Sequence, residues 1–165
     1  MKIFIIVALE YEGQVNISPK GMDTFRVIDS KRIVWLNLTG SGNETAAHVL
    51  KNDRMTIMFC AFEGKPNILR LYGKAKIFHN SDSEYDKFIS LFPKISGSRQ
   101  IVEMSVDLVQ TSCGYAVPYM DFIEERNQLR ISMEKKGDDR IQNYWQEKNS
   151  HSIDGFETEI KKNLK

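Results

Sequence analysis
The stretch VWLNLTGSGNETAAHVL, residues 34–50, decides how the rest of the chain is read. An apolar run over residues 33–38 predicts a strand. It breaks at Thr39-Gly40-Ser41-Gly42, where the two glycines permit a tight turn. A helix is expected next. Ser41 stands three residues before Glu44, the spacing of a capping box, and Ala46, Ala47 and Leu50 favour helix. A strand, a glycine-rich turn and a helix N-terminus form a potential anion site, because free backbone N–H groups and the helix dipole both face the turn. Thr39, Ser41, Asn43 and Thr45 add side-chain donors. The plainer alternative is a capped helix after a turn, with no ligand.

Toward the N-terminus, residues 3–9 are rich in β-branched and aromatic side chains and predict a strand. The opening residues do not make a signal peptide, because the basic region is one lysine and Glu10-Tyr11-Glu12 stands where small residues would be cleaved. A turn at Glu12-Gly13 leads to a second strand, residues 14–18, which ends in Ser18-Pro19-Lys20-Gly21 and forms a hairpin with the first. Pro19 lacks a ladder donor, so pairing should weaken there. Residues 25–28 pair with 33–38 around Asp29-Ser30-Lys31.

Toward the C-terminus, residues 55–62 and 68–78 predict strands, with Gly73 marking a bulge or a close approach. Residues 83–91 have helical spacing. Residues 101–109 alternate as a half-buried strand. Residues 111–118 read as a loop short of charge. Residues 119–136 and 138–148 predict helices, the first with a stripe of Phe122, Leu129 and Met133, and residues 149–165 predict a polar, loose end. About seven strands with short turns and late helices argue an α+β fold around a barrel or sandwich core. Regular strand–helix alternation is missing, and no P-loop lysine follows the glycines, which excludes the dinucleotide and P-loop readings of this turn.

The 165 residues bound one domain, 1–165, with a single core. A formal net charge of +1 provides no field for nucleic acid or an anionic membrane, and no apolar run is long enough to span a bilayer. The two cysteines, Cys60 and Cys113, show no metal or disulfide pattern, so a reducing cytoplasm is the expected location. The histidines His48, His79 and His151 have no metal spacing, and no histidine neighbours Cys113 in sequence. Lys20 ends a strand that can lie beside the anion-type turn, or is simply a solvated turn lysine. Arg70 shares a strand face with Ile68 and Tyr72, and is either exposed or directed into a pocket.

The blocks VNISPKGMDTFRVID, LNLTGSGNETAAHVLKNDRMTIMFCAFEGKPNILRLYGKA and QTSCGYAVPYMDFIEERNQL resemble the pyridoxamine 5'-phosphate oxidase-like flavoproteins, in particular members with TGSGNETAAH and SCGYxVP blocks. The resemblance covers about residues 3–155. It implies an FMN-binding split β-barrel acting as a homodimer, with FMN at the subunit interface. It places Ser18, Pro19, Lys20 and Gly21 along the flavin ring, and Thr39, Ser41, Gly42, Asn43 and Thr45 around the phosphate. It brings the loop at residues 113–117, with Tyr115, to the flavin from the partner subunit, and makes Arg70 a substrate-side candidate.

True pyridoxamine-phosphate oxidases carry a C-terminal segment with a Trp and an RLHDR-like run. Here Tyr144-Trp145-Gln146-Glu147 is followed by His151-Ser152-Ile153-Asp154-Gly155, so vitamin B6 oxidation is not expected. Members also place a helix before the first strand, where this chain begins almost at that strand. The implied activity is an FMN-dependent oxidoreduction of a small molecule. The alternatives are a non-catalytic flavin, deazaflavin or haem binder on the same barrel.

Overall fold
A computed structural model describes residues 3–9 and 12–164. The described residues form strands β1 (Phe4–Ala8), β2 (Asn16–Lys20), β3 (Phe25–Asp29), β4 (Arg32–Leu38), β5 (Arg54–Cys60), β6 (Asn67–Phe78) and β7 (Ser98–Cys113). Helices α1 (Glu44–Lys51), α2 (Ser83–Ile89), α3 (Gln128–Lys136) and α4 (Asp138–Lys148) and a 3₁₀ turn, Ile160–Asn163, complete them. The strands make one antiparallel sheet in the order β2-β1-β5-β6-β7-β4-β3.

The sheet curls until its ends meet. Phe4 of β1 and Phe25 of β3 stand near opposite ends of the strand order, yet their rings lie 5.0 Å apart. Phe25 also meets Phe59 of β5 at 5.3 Å, and Lys20 Nζ of β2 lies 5.1 Å from the Trp35 ring of β4. β2 and β3 do not pair, so the barrel is split between them. The fold is an α+β split barrel.

β4 is apolar from Ile33 to Leu36 because these residues are buried on both faces. Ile33 and Trp35 enter the barrel interior, while Val34 and Leu36 pack outward with Ile101, Phe92 and the aromatic side of α2. Burying an indole the size of Trp35, on the order of 200 Å² at about 25 cal/mol/Å², contributes roughly 5 kcal/mol. Gly73 is the bulge its sequence position suggested. The β6–β7 register shifts there, and a Cβ at Gly73 would stand 1.9 Å from the Ser105 carbonyl oxygen.

Several local expectations differ from the structure. Pairing runs through Pro19 to Lys20, because β2 is an edge strand where a missing N–H is tolerated. β7 extends to Cys113, since β6 offers partners along its whole length. Residues 114–127 are not helical, and α3 begins only at Gln128. Tyr119, Met120 and Ile123 stay exposed there, and an amphipathic helix depends on packing its apolar side against a surface. Ile123 is 90% exposed and Tyr115 84% exposed.

The tail is docked rather than loose. Asn149, Thr158, Ile160 and Asn163 are buried, and Ile160 joins Met133, Ile141 and Trp145 in a satellite core. Lys165, at the expected loose end, lies outside the described residues. Among the described residues, no helix is long and apolar enough to cross a membrane.

Candidate functional site
The turn after β4 and the start of α1 stand beside β2. Between them opens a cleft of about 440 Å³, lined by Asn16, Ser18, Lys20, Gly40, Ser41, Gly42, Glu44, Thr45, Arg99 and Ile153. The pleat of β2 explains part of this list. Asn16, Ser18 and Lys20 are alternate residues and share the inward face, while Ile17 and Pro19 point out. Ser18 Oγ donates to Asn16 Oδ1 at 3.0 Å, and Asn16 Nδ2 donates to Thr45 Oγ1 at 2.7 Å, which ties β2 to the first turn of α1.

Two cations meet at the cleft. Arg99 is buried and donates from Nη1 to the Gly42 carbonyl at 2.9 Å and to Asn149 Oδ1 at 2.6 Å. Its Nε has no partner among the described residues. Burial lowers the Arg99 guanidinium to a pKa of about 9, against the opposing pull of Tyr144 and Glu44. Burial, and then the nearby Arg99 charge, lower Lys20 to about 8. The ammonium rests over Trp35, and no described residue accepts a hydrogen bond from it. Two cations that repel each other, one lacking any acceptor, are stabilised by an anion brought between them.

The turn supplies donors of the same sign. Among the described residues, none accepts a hydrogen bond from the backbone N–H of Ser41, Gly42, Asn43 or Glu44. These groups sit at the positive end of α1. Gly42 leaves room at the turn, since a Cβ there would stand 2.8 Å from Glu44 Oε1. Glu44 is the one carboxylate lining the cleft, and its Oε2 accepts from the Ile153 N–H at 3.0 Å. The donor set fits a compact, highly charged anion such as a phosphate monoester.

Of the residues singled out from sequence, the cleft collects Ser18, Lys20, Ser41, Gly42 and Thr45. The side chains of the others do not line it. Thr39 is buried, its hydroxyl donating to the Gly97 carbonyl and accepting from Trp145 Nε1 at 2.8 Å, so it is committed to the fold. Asn43 is buried, and its Oδ1 accepts from Asn37 Nδ2, itself bound to Gln100. Asn43, not Ser41, is the N-cap residue of α1, and its side chain makes no cap bond. The expected capping box is absent because the helix begins two residues later than Ser41 requires, which makes Glu44 its first residue rather than its third, and Glu44 Oε2 accepts from Ile153 instead.

Pro19 faces outward, and Gly21 accepts the Thr24 hydroxyl through its carbonyl. Arg70 is half-buried on β6, with Nη1 donating to Ser112 Oγ at 3.0 Å, and it does not line the cleft. Tyr115 projects from the loop after β7. Sequence reading did not assign Asn16, Gly40, Glu44, Arg99 and Ile153 to a site, although Gly40 and Glu44 belong to the turn and helix start it singled out. Arg99 stands alone before the apolar part of β7 and carries no local signal of burial.

Residues 2–113 match the family model described as pyridoxamine 5'-phosphate oxidase. The chain belongs to the pyridoxamine 5'-phosphate oxidase family. The pyridoxamine 5'-phosphate oxidase family protein ustO of Aspergillus flavus is 32% identical to it over 124 residues, or 72% of this chain. The chain spans 50% of that protein's length.

Two crystal structures of HupZ from Group A Streptococcus, one of a variant, superpose with TM-scores of 0.55 and 0.52 at 18% and 20% identity. They cover 67% and 66% of this chain and 90% and 82% of those chains, and they share its fold. Every residue lining the cleft except Ile153 falls within the part that matches the pyridoxamine 5'-phosphate oxidase family. α3, α4 and the tail lie beyond that part.

Proposed function
We propose that this member of the pyridoxamine 5'-phosphate oxidase family binds FMN, with the phosphate in the cleft between Lys20, Arg99 and the turn at Gly40–Glu44. The observation that carries the reading is the pairing of a buried guanidinium, Arg99, and a half-buried ammonium, Lys20, with four successive backbone N–H groups for which no described residue is an acceptor. Ser18 and Lys20, on the inward face of β2, lie where the rest of the cofactor would leave the phosphate. Bound FMN supplies redox chemistry that side chains lack, and the protein binds, orients and shields it. The proposed activity is therefore a flavin-dependent oxidoreduction of a small molecule.

We place the FMN at the interface of a homodimer. The apolar, exposed residues 115–123 support that placement, because a single copy leaves Tyr115, Tyr119, Met120 and Ile123 uncovered. Tyr115 then reaches the flavin from the partner subunit.

The test is the identity and reactivity of what the purified protein carries. Acid release followed by mass spectrometry is expected to return FMN, and the protein is expected to oxidise a reduced nicotinamide with an added electron acceptor. A Soret band in place of flavin absorbance makes the chain a haem binder. Bound FMN without turnover across donors makes it a non-catalytic flavoprotein.

A further inference from the structure
We infer that Asn149 is a positioning residue for the phosphate turn, and that the tail beyond the family match acts as its brace. The inference rests on the FMN reading above. Asn149 is fully buried at the end of α4, and its backbone N–H donates to the Trp145 carbonyl at 2.9 Å. Its side chain holds two parts of the cleft at once. Oδ1 accepts from Arg99 Nη1 at 2.6 Å, and Nδ2 donates to the Gly40 carbonyl at 3.1 Å. Arg99 can only donate and a carbonyl can only accept, so the amide has one workable orientation.

The consequence for the turn follows from peptide geometry. In a trans peptide, the C=O of one residue and the N–H of the next point in opposite directions, and the described residues contain no cis bond. Asn149 ties the Gly40 carbonyl, and Arg99, itself held by Asn149, ties the Gly42 carbonyl. The N–H groups of Ser41 and Asn43 are thereby turned away from those donors and left for a ligand. Two further bonds, one from α4 and one from the tail, act on the same turn. Trp145 Nε1 donates to Thr39 Oγ1, and the Ile153 N–H holds the Glu44 carboxylate, the one charge that opposes an anion here.

The brace acts on the phosphate and not on the ring, which gives it a readout that a purely structural role lacks. Dissociation constants for FMN and for riboflavin, which has no phosphate, are measured on the full chain by flavin fluorescence. Asn149→Asp keeps the side chain's size, removes the donor to Gly40 and sets a negative charge against Arg99. It is expected to reduce the preference for FMN over riboflavin at least tenfold, with riboflavin affinity unchanged within twofold. Asn149→Ser, smaller and uncharged, is read the same way and serves if the aspartate variant does not fold. A preference retained in a folded variant, or a parallel loss of both ligands, overturns the inference. An unmutated chain that does not prefer FMN overturns the phosphate reading itself, before any variant is made.

Discussion

Replacing Lys20 with methionine separates what the half-buried ammonium costs from what it does. Methionine keeps the stem over Trp35 and removes the charge. In the ligand-free protein the lysine is a liability. Its pKa falls from 10.5 to about 8, so at pH 7 it is charged in both the folded and unfolded states, and the folded state bears the desolvation. That difference corresponds to at most about 3 kcal/mol. Lys20→Met should therefore raise the melting temperature, at about 2–4 °C per kcal/mol for a chain of this size.

FMN binding should change in the opposite direction. A unit-charge pair about 4 Å apart at an effective dielectric near 20 is worth about 4 kcal/mol. Screening reduces this, but even about 1.4 kcal/mol is tenfold in affinity. The assay is a thermal melt of the ligand-free variant beside a fluorescence titration with FMN. A more stable variant with unchanged FMN affinity would refute the placement of the phosphate beside Lys20.

The affinity for FMN should be steady from pH 7 to about 8 and fall above it, as Lys20 in the free protein loses its proton. The ligand-free protein should change the other way. Its unfolded chain holds the Lys20 proton up to about pH 10.5, so the Lys20 contribution to stability rises between about pH 8 and 10.5. Titrations and melts across that range check both signs. Gly73→Ala forces a Cβ to 1.9 Å from the Ser105 carbonyl, so chemical denaturation should show a loss of about 3 kcal/mol or failure to fold. Ile123→Asp puts a charge into the exposed apolar run after β7, and light scattering should show the proposed dimer reduced to a monomer that keeps the native circular dichroism spectrum and loses the concentration dependence of its melting temperature.

The barrel was legible because each strand is a run of β-branched and aromatic residues between turn signals. Gly73 could be placed because few residues other than glycine permit such a backbone approach. The turn after β4 was legible for the same local reason, as its residues are contiguous. What escaped was long-range. Arg99 is drawn into the site by Asn37, Gly42 and Asn149, each about 50 residues or more away in sequence. The tail looked loose because it is polar. It is ordered because those polar groups find partners, as when Thr158 bonds the Asn149 carbonyl and Asn163 bonds the Arg99 carbonyl. Residues 119–127 looked helical because spacing alone cannot say whether a surface exists for the apolar side to cover. Thr39 was assigned to a ligand as a donor, and the fold uses its hydroxyl internally; Asn43 gives the fold its Oδ1 as an acceptor, while no described residue pairs with its Nδ2.

The central claim, a phosphate held by the turn after β4, is tested most directly by backbone amide NMR during titration with FMN. The account predicts that the largest shifts fall on the N–H groups of Ser41, Gly42, Asn43 and Glu44, and that inorganic phosphate alone moves the same resonances in the same direction. FMN binding that leaves these four amides unmoved would contradict it.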